Sequence, residues 1–216
     1  MSNDNELQQA VLAELNWEPS ISAAHIGVSA NTGVVTLTGH VDSFLQKHSA
    51  QQASLRVKGV KAVADEIEVQ LPFDLEKTDD EIASAAVDRL WWDVSVPRDA
   101  IKVSVDKGWV TLTGQVDWYY QKSAAEDDIR RLFGVVGLSN QTTLRPKVDV
   151  PHIRNNIEHA LRRAWFFDEG NLTVSADGGT VRLGGTVHSL HDRQAVESTA
   201  WAAPGVTDVI DEISIT

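Results

Sequence analysis

Apolar residues recur with the period of an α-helix at three places along this 216-residue chain. Leu7, Val11 and Leu15 are four residues apart, so they form one apolar stripe on an amphipathic helix. The same spacing occurs twice more, and each stripe predicts a helix that buries one face. The other two stripes are Ile82, Ala86 and Leu90, and Ile153, Ile157 and Leu161.

A change to two-residue alternation follows each helix and predicts a β-hairpin. The segments "AHIGVSA" and "VVTLTGHV" alternate apolar and polar residues, and "NTG" separates them. An Asn or Asp followed two residues later by Gly is typical of a three-residue hairpin loop. The same strand–loop–strand pattern appears in "AIKVSV", "DKG" and "WVTLTGQV", and again in "NLTVSA", "DGG" and "TVRLGGTV".

A second helix and a third strand complete each repeat. "SFLQ" from Ser43 has the pattern of a capping box, and so does "TDDE" from Thr78 at the first helix of the middle repeat. A right-handed crossover through the second helix makes the third strand, "VADEIEVQ" in the first repeat, parallel to the second. The predicted inner faces of the second helices are Ala50, Ala53, Ser54 and Val57, then Ala125, Asp128, Ile129 and Leu132, then Val196, Thr199, Ala200 and Ala203.

Glycines mark the same three points in every repeat, at offsets of 75 and 71 residues. We expect Gly33 to close the hairpin with positive φ and Gly59 to end the second helix as a left-handed C′ residue. Gly39 is expected to face inward, making room for a closely packed helix or forming a bulge. The nine structural glycines are Gly33, Gly39, Gly59, Gly108, Gly114, Gly134, Gly179, Gly185 and Gly205.

The predicted fold class is therefore α+β, with three tandem αββαβ units, each a small mixed sheet with two packed helices. The units are placed at residues 4–70, 78–145 and 151–216, with linkers at 71–77 and 145–151. A unit of about 70 residues buries a core only marginally, so we expect the units to pack against one another.

The two glycine-containing phrases resemble the BON domain. They are G-V-V-T-L-T-G-x-V from Gly33 and G-V-x-x-V-x-x-x-I-x-V from Gly59, with counterparts from Gly108 and Gly134 and from Gly179 and Gly205. The resemblance implies a non-enzymatic module that binds phospholipid membranes or other ligands, in osmotic-stress or envelope proteins. It implies no catalytic residues and no cofactor. One potassium-binding relative implies a small-cation sensor as a weaker alternative.

Charge and composition narrow the choice of partners. The chain has 31 acidic and 19 basic residues, a net charge of -12, spread evenly over the three repeats. Such a surface repels phosphate backbones, which argues against a nucleic-acid partner. The absence of cysteine excludes disulfides and Cys-ligated metals. With no signal-like N-terminus and no span-length apolar run, we expect a soluble cytoplasmic protein, or a periplasmic one if a signal was removed.

Aromatic residues are the candidate contact sites, since Trp and Tyr favour both membrane–water and protein interfaces. Burial beneath loops or between units is the other interpretation. Most of these residues are predicted just past the first helices, and Trp118 opens the second helix of the middle unit. The candidates are Trp17, Trp91, Trp92, Trp118, Trp165, Phe166 and Phe167.

A metal site is not predicted. His188 and His191 form H-x-x-H beside Asp192, but the other two units have no such pair and no third well-spaced ligand is evident. The leading hypothesis is association with a phospholipid surface. The alternatives are a protein-interaction scaffold or homo-oligomer and, less favoured, the potassium sensor.

Overall fold

A computed structural model describes residues 3–73, 76–146, 152–163 and 172–215. It contains three small mixed sheets with packed helices, which confirms the predicted α+β fold. Unit 1 contains α1 (Asn3–Trp17), β1 (Ile26–Asn31), β2 (Val34–Val41), α2 (Phe44–Arg56) and β3 (Ala62–Val69). Unit 2 contains α3 (Asp79–Trp92), β4 (Ile101–Asp106), β5 (Trp109–Val116), α4 (Tyr119–Arg130), β6 (Gly137–Asn140) and β7 (Thr143–Leu144). Unit 3 contains α5 (Ile153–Arg162), β8 (Leu172–Asp177), β9 (Thr180–Val187), α6 (Leu190–Trp201) and β10 (Asp208–Ile215).

Each unit has its own hydrophobic core between helices and sheet. All nine residues of the three predicted first-helix stripes are buried, because the four-residue spacing places them on the face toward the sheet. From the second strand of unit 1, Val35, Leu37 and Val41 add to this core. The apolar residues of the helices and of the strands thus form one buried layer in each unit.

The sheet topology is the predicted one in every unit. β1 and β2 pair antiparallel, and β3 then lies parallel to β2 from the Val34–Ala62 pair to the Val41–Val69 pair. In unit 2 the third strand is interrupted: β6 and β7 both pair with β5, and Gln141 and Thr142 lie between them. The side-chain Oδ1 of Asn140 accepts a hydrogen bond from Thr142 N at 3.2 Å in this interruption.

The hairpin loops are one residue shorter than predicted. Asn31 pairs with Val34, so only Thr32 and Gly33 form the loop, with φ of 51° and 86°. Positive φ at both central residues is what a type I′ turn requires, and this turn matches the twist of the flanking strands. In unit 3 the positive φ, 56°, falls on Gly178 and not on the predicted Gly179.

The glycines of the second strands do not make room for a helix, so that prediction was wrong. A Cβ on Gly39 would lie 1.9 Å from the carbonyl oxygen of His25, and one on Gly114 would lie 2.0 Å from that of Ala100. Both have positive φ, 109° and 139°, and Gly185 shares this feature at 115°. The strand registers continue through Gly39 without an inserted residue, so a bulge does not explain it either.

The second helices begin as predicted but differ in detail. Ser43 caps α2 by accepting from Gln46 N at 3.3 Å, whereas Gln46 Oε1 accepts from Ser22 N and does not complete a capping box. The box at Thr78 and Glu81 is complete. Gly59 has a φ of 94°, yet it lies in the turn after α2, where Val60 N donates to Val57 O, and not at the predicted C′ position.

A cation on each second helix bonds to the third strand. Lys47 Nζ donates to Ile67 O at 2.6 Å, and Lys122 Nζ donates to Thr142 O at 2.8 Å. Arg193 Nε instead donates to Asp211 Oδ2 at 2.6 Å. The three cations occupy equivalent helix positions, and the acceptors of Lys47 and Lys122 are also equivalent. Asp211 lies two residues before the position in unit 3 that corresponds to Thr142.

Candidate functional site

The direction of α3 determines which residues lie at each end of unit 2. The carboxylate of Asp79, at the start of α3, accepts hydrogen bonds from Lys107 N and Gly108 N in the hairpin loop, both at 2.8 Å. The 14-residue helix then carries its chain about 20 Å away from that loop. The end of α3 therefore lies at the opposite end of the unit from Trp109.

The end of α3 exposes a cluster of apolar side chains. Trp91 is 51% exposed, Trp92 is 82% exposed, and Val94 is fully exposed. We call Trp91, Trp92 and Val94 the apolar end of unit 2. The two Trp residues are the last residues of the helix, and not beyond it as predicted. Trp17, at the matching position of α1, is 84% exposed, so unit 1 presents a smaller version of the same feature.

A cationic side chain lies against this cluster. The guanidinium of Arg98 stacks over the ring of Trp91, 4.5 Å from its centroid. Beneath the pair is a cleft of about 70 Å³ whose apolar lining includes Val87, Val96 and Ile101. The cleft is too small for an acyl chain. The arrangement can instead offer a cation and an aromatic edge to a phosphate-bearing surface.

Trp118 follows β5, which runs from Trp109 at the hairpin end to Val116, so Trp118 lies at the end of unit 2 where α3 ends. Its side chain is half-buried. Trp118 is the N-cap residue of α4, and its backbone N donates to Gln121 Oε1 at 3.0 Å. Its neighbour Tyr120 is 58% exposed. The structure thus brings Trp118 to the end that carries Trp91 and Trp92. The remaining candidates, Trp165, Phe166 and Phe167, lie outside the described residues.

Carboxylates beside the apolar end have shifted pKa values. Hydrogen bonding from the backbone N–H of Ser95 lowers the pKa of Asp93, and the contact between Asp93 Oδ1 and Ser95 N is 2.6 Å. Burial raises the pKa of Asp128, whose Oδ1 accepts from Arg89 Nε at 2.8 Å. Asp93 keeps negative charge close to the Trp residues, which disfavours strongly anionic partners.

The histidine motif lies at the start of α6. His188 and His191 are both exposed. The carboxylate of Asp192 accepts a hydrogen bond from Ser189 Oγ, the N-cap residue of α6, at 2.7 Å. Among the described residues, no group of three or more His, Cys, Asp or Glu side chains is arranged to hold a metal ion. None of the helices in the described part of the chain has the length and apolar character needed to cross a membrane.

Sequence reasoning missed Val94 and Arg98. The signal for Val94 was available, because an apolar residue that follows Trp-Trp-Asp directly belongs to no periodic pattern. The position of Arg98 over Trp91 depends on how the loop after α3 folds back, and no local sequence pattern specifies that path.

Comparison with known proteins agrees with the repeat. A family model described as the BON domain matches residues 3–70, 78–146 and 149–216. The chain is 30% identical over 142 residues to "Osmotically-inducible protein Y" of Escherichia coli (strain K12), covering 64% of this chain and 71% of that protein. Two solved structures of CdsD, a structural protein of the Type III secretion system of Chlamydia trachomatis, are each 15% identical, with TM-scores of 0.27 and 0.26. They cover 98% and 100% of this chain and 92% and 100% of their own chains. Since the family model matches three successive stretches that together make up nearly the whole length, this chain belongs to the BON domain family.

Proposed function

We propose that this protein is a non-enzymatic module that attaches to a phospholipid surface through the apolar end of unit 2, assisted by Trp17. The observation that carries the proposal is the joint exposure of Trp92 and Val94 beside Trp91. An exposed group of Trp and Val has no role in the core of its own unit. Trp rings are favoured at the membrane interface, where an apolar ring and a polar N–H are both accommodated.

The charge of the protein selects the kind of surface. A net charge of -12 gives repulsion from anionic headgroups, so attachment has to rest on shallow insertion of the rings. Removing roughly 100 Å² of each ring from water contributes on the order of 2–3 kcal/mol. In this proposal Arg98, which stacks on Trp91, contacts a lipid phosphate while the neighbouring rings enter the interface. Zwitterionic phosphatidylcholine fits these features better than an anionic lipid does.

The relative supplies the physiological setting of the proposal. The name of the Escherichia coli protein states that it is osmotically inducible. Attachment to a membrane surface is a suitable activity under osmotic stress, because such stress alters the packing of lipids. We therefore place the proposed binding in an osmotic-stress response.

Co-sedimentation with phosphatidylcholine vesicles tests the proposal. The variant combines Trp91→Ala with Trp92→Ala, and the control is Trp109→Ala. Trp109 is 51% exposed, as Trp91 is, but lies at the hairpin end of the same unit. We expect at least a tenfold weaker partition for the double variant, a loss of about 1.4 kcal/mol or more, and little change for the control. Circular dichroism shows whether both variants remain folded.

The alternatives give different results in the same assay. Equal binding by both variants contradicts the assignment of the surface, and absence of wild-type binding to vesicles contradicts lipid attachment altogether. A protein-interaction scaffold would show no vesicle binding, whereas a pull-down would lose its partner in the Trp91→Ala/Trp92→Ala variant. A potassium sensor would be stabilised thermally by K⁺ more than by Na⁺ at equal ionic strength.

A further inference from the structure

The first residue of each second helix packs on a different unit. These residues are Phe44, Tyr119 and Leu190, and they are separated by the same offsets of 75 and 71 as the rest of the repeat. Phe44 of unit 1 packs against the core of unit 2, and Leu190 of unit 3 packs against the core of unit 1. Tyr119 of unit 2 stacks on Trp201 of unit 3, with ring centroids 4.9 Å apart and planes inclined by 15°. All three side chains are half-buried.

The receiving residues also occupy one repeated position, near the end of the second helix. Trp201 in α6 corresponds to Arg130 in α4 and to Leu55 in α2. Leu55 is buried although it does not belong to the core cluster of its own unit, and α6 packs against α2. The side chain of Arg130 is only 12% exposed and is paired with Glu126 at 2.6 Å.

The electrostatics of α2 indicate that α4 is its neighbour. Burial, followed by the charge of Arg130, lowers the pKa of His48, while Glu126 and Asp127 of α4 act in the opposite direction. In the same way, burial raises the pKa of Tyr119, and the negative charge of Glu197 in α6 raises it further. The second helices therefore meet in the order α2 to α4, α4 to α6 and α6 to α2.

The order of these contacts is unit 1 to unit 2, unit 2 to unit 3, and unit 3 back to unit 1. We propose that the first turn of the second helix is a docking element whose partner is the second-helix face of another BON unit, and that the three copies close into one intramolecular ring. A repeated contact that returns to its starting unit after three steps has the closure of a cyclic trimer. Because the contacts close after three steps, every docking element and every receiving face of the three units is occupied.

This inference does not depend on the proposed function. It implies that the second-helix faces are buried against one another within the chain. They are therefore not available to join two chains into a dimer. The end of α3 with Trp91 and Trp92 stays free for an external partner. It also adds buried surface to units that are individually small.

Small-angle X-ray scattering of the full chain tests the closed ring. One compact body of 216 residues has a radius of gyration of about 17 Å, whereas units joined only by linkers are larger. Leu190→Asp removes the contact between the first and last units, so we expect the radius of gyration to rise. Leu45→Asp is the matched control, because Leu45 is the second residue of α2 and has an exposed side chain, so the contact assigned to the first residue stays intact. Asp in the first turn is compatible with a helix, so neither change breaks the helix itself.

Two further measurements keep the test decisive. Circular dichroism must show that Leu190→Asp retains its secondary structure, and Phe44→Asp opens a different contact of the ring if it does not. Light scattering of the wild type must give the mass of one chain, 23.6 kDa. The proposal would be overturned if folded Leu190→Asp and Phe44→Asp both kept the wild-type radius of gyration. A wild-type dimer formed through the second helices would also overturn it.

Discussion

Gly39 and Gly114 lie where the second strand passes the residue that precedes the first strand. The neighbouring atom is a backbone carbonyl oxygen, which cannot rotate away as a side chain could. Both residues also have a backbone conformation that is unfavourable for any residue with a Cβ. Sequence comparison between repeats identified the requirement for glycine, but a repeated glycine does not reveal which atom approaches it.

We predict that Gly114→Ala destabilises the protein by about 2 kcal/mol or more, since it combines a forbidden contact with a positive φ. Gly178→Ala is the control, because its φ of 56° is also positive but a Cβ there meets nothing within 4 Å. We expect a loss of about 1 kcal/mol for the control. Urea denaturation measures both values, and equal losses would show that the contact with Ala100 is unimportant.

Asp128 is the buried carboxylate of unit 2, and Arg89 is its counter-ion. Arg89→Ala leaves the carboxylate without that partner, and the half-exposed position of Arg89 limits the expected loss to about 1–3 kcal/mol at pH 7. Burial raises the pKa of Asp128, so the folded protein binds this proton more tightly than the unfolded chain does. The stability that proton uptake provides is present at low pH and is lost as pH rises through the folded pKa.

The penalty of Arg89→Ala is therefore expected to shrink when pH is lowered from 7 toward 4, because Asp128 then becomes neutral. Arg154→Ala is the matched control, since its pair with Glu158 is exposed on α5 and contributes less than about 0.5 kcal/mol. Denaturation curves of both variants at several pH values provide the comparison. A penalty for Arg89→Ala that is independent of pH would contradict the role assigned to Asp128.

At the scale of elements, the sequence predicted most of the architecture. Periods of about four and two residues identified the first helices and the strands, because both patterns depend only on local geometry and one buried face. Loop lengths and caps were less accurate: the hairpin loops have two residues, and Gln46 bonds to Ser22. The bond between Gln46 and Ser22 joins segments far apart in the chain, and the loop length depends on whether Asn31 pairs with Val34 across the hairpin. The local pattern specifies neither contact.

The cation of each second helix is an element-scale contact with a measurable effect. Burial lowers the pKa of Lys122, and its ammonium donates to Thr142 O in the interrupted third strand. Lys122→Met keeps the apolar stem but removes that bond, so we expect a loss of about 1.5–3 kcal/mol. Lys102→Met, on the exposed side of β4, is expected to have almost no effect. Thermal and urea denaturation test the pair, and similar losses for both would contradict a specific bond to the third strand.

At the scale of the whole molecule, the sequence indicated three units and a set of aromatic residues but not their arrangement. The contacts of Phe44, Tyr119 and Leu190 join units that are distant in sequence, so no periodicity could reveal their order. The candidate Trp residues were chosen by residue type, whereas their exposure depends on which helix end reaches the surface. Trp118, at a helix start, is partly covered, and Trp92, at a helix end, is not.

The central functional claim is that the rings at the end of α3 leave water when the protein meets a phospholipid surface. Acrylamide quenching of tryptophan fluorescence, with and without phosphatidylcholine vesicles, tests it most directly. We predict that vesicles protect the wild type from quenching, that Trp91→Phe/Trp92→Phe loses most of this protection, and that Trp109→Phe retains it. Quenching that vesicles leave unchanged in the wild type would contradict the claim.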